Sequence, residues 1–220
     1  MADFRYLISA SLCWAAILGA STLRANNSCD ATLAIAPDSL SILSMQWKGK
    51  IEGPMAACIM TAFAKVPSTV WRVSLSLDSP GGSLQTAEEV VAVLKDIRKT
   101  HQLSTIVGRG ATCSSACVLV FLAGERRYGA LSSIWLFHEV GHWTHREDRP
   151  LTTDRIATER VFQDYFLAAG VSEAWLNRLR PLIQNADYWQ TGQNLFDDKS
   201  GIITQPIENL VPRRTERQKY

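Results

Sequence analysis

Between residues 41 and 138 the chain switches repeatedly between two hydrophobic periods, and this narrows its possible folds more than any other feature. SILSMQWKGKI (41–51) sets Leu43, Met45 and Trp47 at every second position, the spacing of a strand with one buried face. PMAACIMTAFAKV (54–66) moves to helical spacing, with Pro54 near the first turn where its missing N–H costs nothing. WRVSLSL (71–77) returns to period two, with Val73, Leu75 and Leu77 set against Arg72, Ser74 and Ser76. LQTAEEVVAVLKDIRKT (84–100) gathers Val90, Val91, Leu94 and Ile97 on one helical face. LSTIVG (103–108) predicts a short strand, SACVLVFLAG (115–124) a buried helix stopped by Gly124, and ALSSIWLFH (130–138) another strand. Strand and helix in alternation build βαβ units, so the expected class is α/β with a mostly parallel sheet. Two amphipathic helices follow, at 153–170 and 172–183, and the polar run PRRTERQKY (212–220) is expected to fray.

The first 25 residues differ from the rest. Arg5 precedes an apolar run from Tyr6 to Ala20, short for a membrane span, and small residues follow, allowing cleavage after Ala20 or Ala25. This predicts a signal peptide or membrane anchor over 1–25 and a single domain over 26–220, exported to the periplasm or held at the inner membrane facing it. Export makes the cysteines informative. Setting Cys13 aside leaves Cys29, Cys58, Cys113 and Cys117, enough for two disulfides in an oxidising compartment, with the pairing open. With a net charge of only +2 and no basic block, nothing in the chain points to nucleic acid as a partner.

Two segments carry possible chemistry. LDSPGGSL (77–84) joins a predicted strand to a predicted helix, and Gly81 and Gly82 permit positive φ and close backbone approach. Such a turn can aim N–H groups at a developing oxyanion, or serve simply as a tight connection. In GRGATCSSACVLVFLAG (108–124), Ser115 stands where a strand passes into an apolar helix, so the Ala116 N–H can face the same point as Ser115 Oγ. A cap alone would explain either serine, and Ser114 is as well placed by sequence as Ser115. A serine nucleophile needs a base, and a base needs an orienting acid. Of four histidines, His138 ends an apolar strand and would lie at a sheet edge. The same histidine opens HEVGH (138–142), the zinc-peptidase pattern. On a helix, His138 and His142 would bind the metal with Glu139 as base, and Glu159 or Glu173 could complete the site.

LDSPGG, then small residues before an apolar helix ending in AG, then a strand ending in His, resembles the Clp protease proteolytic subunit and its relatives, which include signal peptide peptidase A and share the crotonase-like fold. The likeness runs from about Ile51 to Ile203. It implies stacked βαβ units with C-terminal helices, and a serine peptidase that needs no cofactor. Position by position, it implies Ser115 as nucleophile, His138 as base and Asp187, in NADYWQTGQNL, as acid. The backbone N–H groups of Gly82 and Ala116 would form the oxyanion hole. It further implies a peptide or protein substrate and a homo-oligomer. CSSAC replaces the family's usual run around the serine, and a triad out of alignment would leave a binding or assembly module instead of an enzyme.

Overall fold

The computed structural model describes residues 28–35, 41–67, 69–142 and 152–207, with residues 28–35, 41 and 142 described by backbone alone. The 1–25 segment, the C-terminal run and most of the stretch 141–152 therefore lie outside the described residues. In chain order the strands and helices are β1 (Ser28–Ile35), β2 (Ser41–Lys48), α1 (Met55–Phe63), β3 (Val70–Asp78), α2 (Leu84–Arg98), β4 (Gln102–Val107), β5 (Thr112–Ser114), α3 (Ala116–Leu122), β6 (Arg126–Ala130) and β7 (Ile134–Phe137). Then come β8 (Gly141–His142), β9 (Thr152–Thr153), α4 (Arg155–Val161), α5 (Glu173–Leu182), β10 (Tyr188–Thr191), α6 (Gly192–Asp197) and β11 (Gln205–Ile207).

The main sheet runs β1-β2-β3-β4-β6-β11, antiparallel at β1–β2 and parallel at every other pair. The class is α/β, as the strand–helix alternation predicts. Period-two patterning places Leu43, Met45, Trp47, Val73, Leu75, Leu77, Leu103 and Val107 on the buried face. Ala87, Val90, Leu94 and Ile97 of α2 cover that face, and all seven residues of α3 are buried beside them. Ser83 caps α2 by accepting the Thr86 N–H at 3.2 Å, which starts the helix directly after the SPGG turn.

Three expectations change. The described chain starts on the strand β1, where an irregular lead before residue 41 is the expectation from sequence. The predicted strand 130–138 keeps only β7, preceded by a turn at 131–133 in which Ser133 Oγ donates to the Ala130 carbonyl at 2.5 Å, and β6, which ends at Ala130, is a further strand. β6 stays in the main sheet while β7 leaves it for a second sheet of order β10-β7-β5. The predicted helix 153–170 is α-helical only as far as Val161. It continues through a π turn over Phe162–Phe166 and a 3-10 turn to Gly170, which takes φ 80°.

The C-terminal return is latched by a cation. Arg127 of β6 donates to the carbonyls of Gly124, Ala169, Gly201 and Ile202 at 2.7–3.2 Å. Burial, with Arg98 nearby, lowers its pKa from the ordinary guanidinium value. Those carbonyls stand in for the water that the charge has lost.

Candidate active site

The SPGG turn is sewn to the segment that carries the serines. Ser79 N–H donates to the Thr112 carbonyl at 2.7 Å and Ser114 N–H to the Ser79 carbonyl at 3.1 Å, a parallel bridge linking the two sheets. Asp78 Oδ1 accepts the Thr112 N–H at 3.1 Å. Gly81 has φ 95°, and a Cβ there would lie 2.6 Å from the Ser114 carbonyl oxygen and 2.9 Å from Ser115 Cβ. Only glycine lets the turn approach the serine this closely.

Ser115 is held at φ 53° and ψ −122°, a conformation of about 1–3 kcal/mol strain for an L residue. It makes a sharp strand-to-helix turn of the kind that can expose a serine side chain above a sheet. Its N–H donates to the Leu136 carbonyl at 2.9 Å. Cys113 and Cys117 are joined by a disulfide across the elbow, with Cα atoms 5.2 Å apart. The two candidate serines now separate. Ser114 is 1% exposed and its Oγ has no partner among the described residues, whereas Ser115 lines an open cavity.

That cavity, of about 100 Å³, is also lined by Gly82, Ala116 and His138. Its walls are largely apolar, with Val118, Leu119, Val161, Phe162 and Phe166 among them. Ile51 bonds the Gly81 carbonyl and the Ser83 N–H, so the N–H of Gly82 is turned the other way, as parallel pairing requires. Ala116 is the first residue of α3, where helix geometry leaves an N–H without an internal acceptor.

The second sheet relates the remaining positions. β5 pairs with β7 in parallel, ending at Ser114↔Leu136. β7 pairs with β10 antiparallel, with Tyr188 opposite Phe137. One step beyond that pair, Asp187 falls opposite His138. Ser115, His138 and Asp187 therefore each sit one residue outside the same edge of one sheet, in the order Asp187, His138, Ser115 across it. His138 Nδ1 lies 2.6 Å from the Glu139 carbonyl oxygen. A carbonyl only accepts, so in this contact Nδ1 is the donor. Asp187 is exposed.

Among solved structures, ClpP1 from Listeria monocytogenes matches with a TM-score of 0.57 at 14% identity, over 76% of this chain and 91% of that one. A point mutant of the same Listeria protein matches over 76% of this chain and 92% of its own, at 15% identity and a TM-score of 0.49. The fold is ClpP-like. At such identity the likeness is one of fold, and no protein-family model or curated protein matches the chain by sequence.

On the ClpP-like frame the zinc reading of HEVGH loses its geometry. Residues 138–141 are not helical, and Gly141–His142 form β8, paired with β9, so His138 and His142 do not share a helical face. Glu139 is buried, accepting the Asn185 N–H at 3.0 Å and lying 3.4 Å from Arg155 Nε. Glu159 is held by Arg180 at 2.8 Å, and Glu173 opens α5. Among the described residues no three His, Cys, Asp or Glu side chains cluster as a metal site. The sequence reading also missed β5 and the structural part played by Glu139. The serine turn at 131–133 was the available signal for separating β6 from β7.

α4 forms the outer wall of the cavity and three ion pairs tie it down: Arg155 to Glu139, Arg160 to Glu88 at 2.7 Å, and Glu159 to Arg180. The bonds from Arg180 hold the Glu159 carboxyl below its ordinary pKa, and the pairing raises that of Arg180. Burial, with Glu88 beside it, pushes the Tyr165 phenol up.

Proposed function

We propose that the chain is an exported serine peptidase of the ClpP type, hydrolysing peptide bonds with Ser115, His138 and Asp187. The observation that carries this reading is the shared sheet edge, which lines up acid, base and nucleophile. Nε2 of His138 takes the proton as Ser115 Oγ attacks the peptide carbonyl. The N–H groups of Gly82 and Ala116 receive the oxyanion, and the protonated imidazole returns its proton to the leaving amine. Water, activated by the same base, then releases the acyl group. Asp187, one step beyond the Tyr188–Phe137 pair, would orient the ring by replacing the Glu139 carbonyl at Nδ1. Apo sites often tighten in this way when substrate binds.

Two features support export: the Cys113–Cys117 disulfide and the disulfide-bonded state of Cys58, both suited to an oxidising compartment. The apolar segment within 1–25 would deliver the chain or tether it to the inner membrane, and self-association follows from the likeness to ClpP. A fluorophosphonate probe tests the assignment. It should label the folded protein at Ser115, with labelling and peptidase activity falling at least ~10³-fold in Ser115→Ala and little in Ser114→Ala. Well-folded protein that takes up no probe would sink the hydrolase reading.

That outcome would favour a binding or assembly module on the same fold. The engagement of His138 Nδ1 by the Glu139 carbonyl is the observation on its side.

A further inference from the structure

Glu139 directly follows the candidate base and is 6% exposed, a rare environment for a carboxylate. Its two oxygens face different elements. Oε2 accepts the Asn185 N–H at 3.0 Å, and Oε1 lies 3.4 Å from Nε of Arg155 in the first turn of α4. Asn185 has φ 54°, a left-handed conformation that turns the chain two residues before Asp187. The turn therefore holds an uncommon backbone shape, and its N–H at Asn185 donates to a buried charge. Charge-assisted bonds of this kind are the stronger class.

Neighbouring bonds fix the place from which Glu139 reaches. Val140 N–H donates to Thr158 Oγ1 at 2.9 Å, and Asp154 N–H donates to the Val140 carbonyl at 2.7 Å. The segment carrying the base is thus tied to α4 on one side and, through a single carboxylate, to the acid's turn on the other.

We infer that Glu139 is a positioning residue that sets Asp187 against His138 by anchoring the Asn185 turn. The inference rests on the peptidase reading for its consequence, although the anchor itself is a matter of structure. The Glu139 side chain touches no reacting atom. It acts through Asp187, so its contribution should disappear when Asp187 is absent.

The experiment combines kinetics with amide hydrogen exchange on the full chain. Glu139→Ala should lower kcat on a peptide substrate roughly 10- to 100-fold with KM changed less than about threefold, as expected for misplacement of a catalytic group. Glu139→Gln keeps an oxygen acceptor for the Asn185 N–H and should recover most of that loss. In an Asp187→Ala background, adding Glu139→Ala should cost less than about twofold more. Exchange at residues 184–188 should speed up in Glu139→Ala and stay near wild type in Glu139→Gln. An equal penalty with and without Asp187, or unchanged exchange at 184–188 in Glu139→Ala, would overturn the inference. The exchange arm does not depend on activity, so a protein that anchors the turn yet hydrolyses nothing would condemn the peptidase reading and leave the anchor standing. Should Glu139→Ala not fold, Glu139→Gln decides: faster exchange at 184–188 despite the retained acceptor counts against the inference.

Discussion

In the main sheet β3 buries Val73, Leu75 and Leu77 under α2, and the helix returns Val90 and Leu94 with no exposure at all. In the second sheet β7 buries Trp135 and Phe137 but leaves Ile134 41% exposed, and its neighbour β10 leaves Trp189 54% exposed. The first sheet is long, mostly parallel and covered; the second has short strands and an edge carrying the three candidate catalytic side chains. Apolar burial supplies most folding free energy, while chemistry needs groups that water and substrate can reach. The two sheets divide these demands, and the Ser79–Cys113 bridge joins them.

Substitutions on either side can break or sharpen that division. The largest effect on stability is expected from Leu94→Ala, fully buried in the main layer. It should cost about 2–5 kcal/mol in a denaturation experiment while kcat per folded molecule stays unchanged. If kcat fell in parallel, the two sheets would not be separable. Gly81→Ala should do the reverse. Its Cβ must displace the Ser114 carbonyl, so kcat should drop about 10²-fold with a smaller change in unfolding midpoint.

Cys113→Ser sits on the seam. Opening so short a loop should lower stability by only about 2 kcal/mol by the chain-entropy argument, read from the denaturation midpoint under non-reducing conditions. The smallest effect belongs to Glu159→Gln on α4, an exposed pair with Arg180 whose loss should cost less than about 1 kcal/mol. Its pH dependence has a definite sign. The folded carboxyl is held below its ordinary value, so the pair's contribution is complete above about pH 4.3 and fades as pH falls through the folded value. Stability curves of wild type and Glu159→Gln should converge on the acid side of that point.

Much of the main sheet was legible because burial writes a period into the chain. Leu43, Met45 and Trp47, or Val90, Leu94 and Ile97, report their faces directly. The second sheet was harder to read. β5 is three residues long, too short to display a period, and the strand read over ALSSIWLFH ran through the turn at 131–133 because that run contains no glycine or proline. Ser115 was marked by its position before an apolar helix, but its separation from Ser114 depends on a backbone torsion that no side-chain pattern announces. Asp187 came forward by resemblance, and the register that sets it opposite His138 depends on pairing across distant segments. HEVGH shows the converse hazard, since the pattern states a spacing and the backbone decides whether that spacing is helical. Glu139 had no signal of its own beyond belonging to that pattern.

The common edge also orders events in time. Ser115 and His138 are brought together by β5 and β7 with one helix and one strand between them, whereas Asp187 arrives only after α4 and α5 have been made and β10 has closed on β7. Long-range closure of that kind follows local structure in folding. On the proposed peptidase reading, a half-folded copy would carry Ser115 and His138 but lack Asp187, and activity would appear only when the last third of the chain docks.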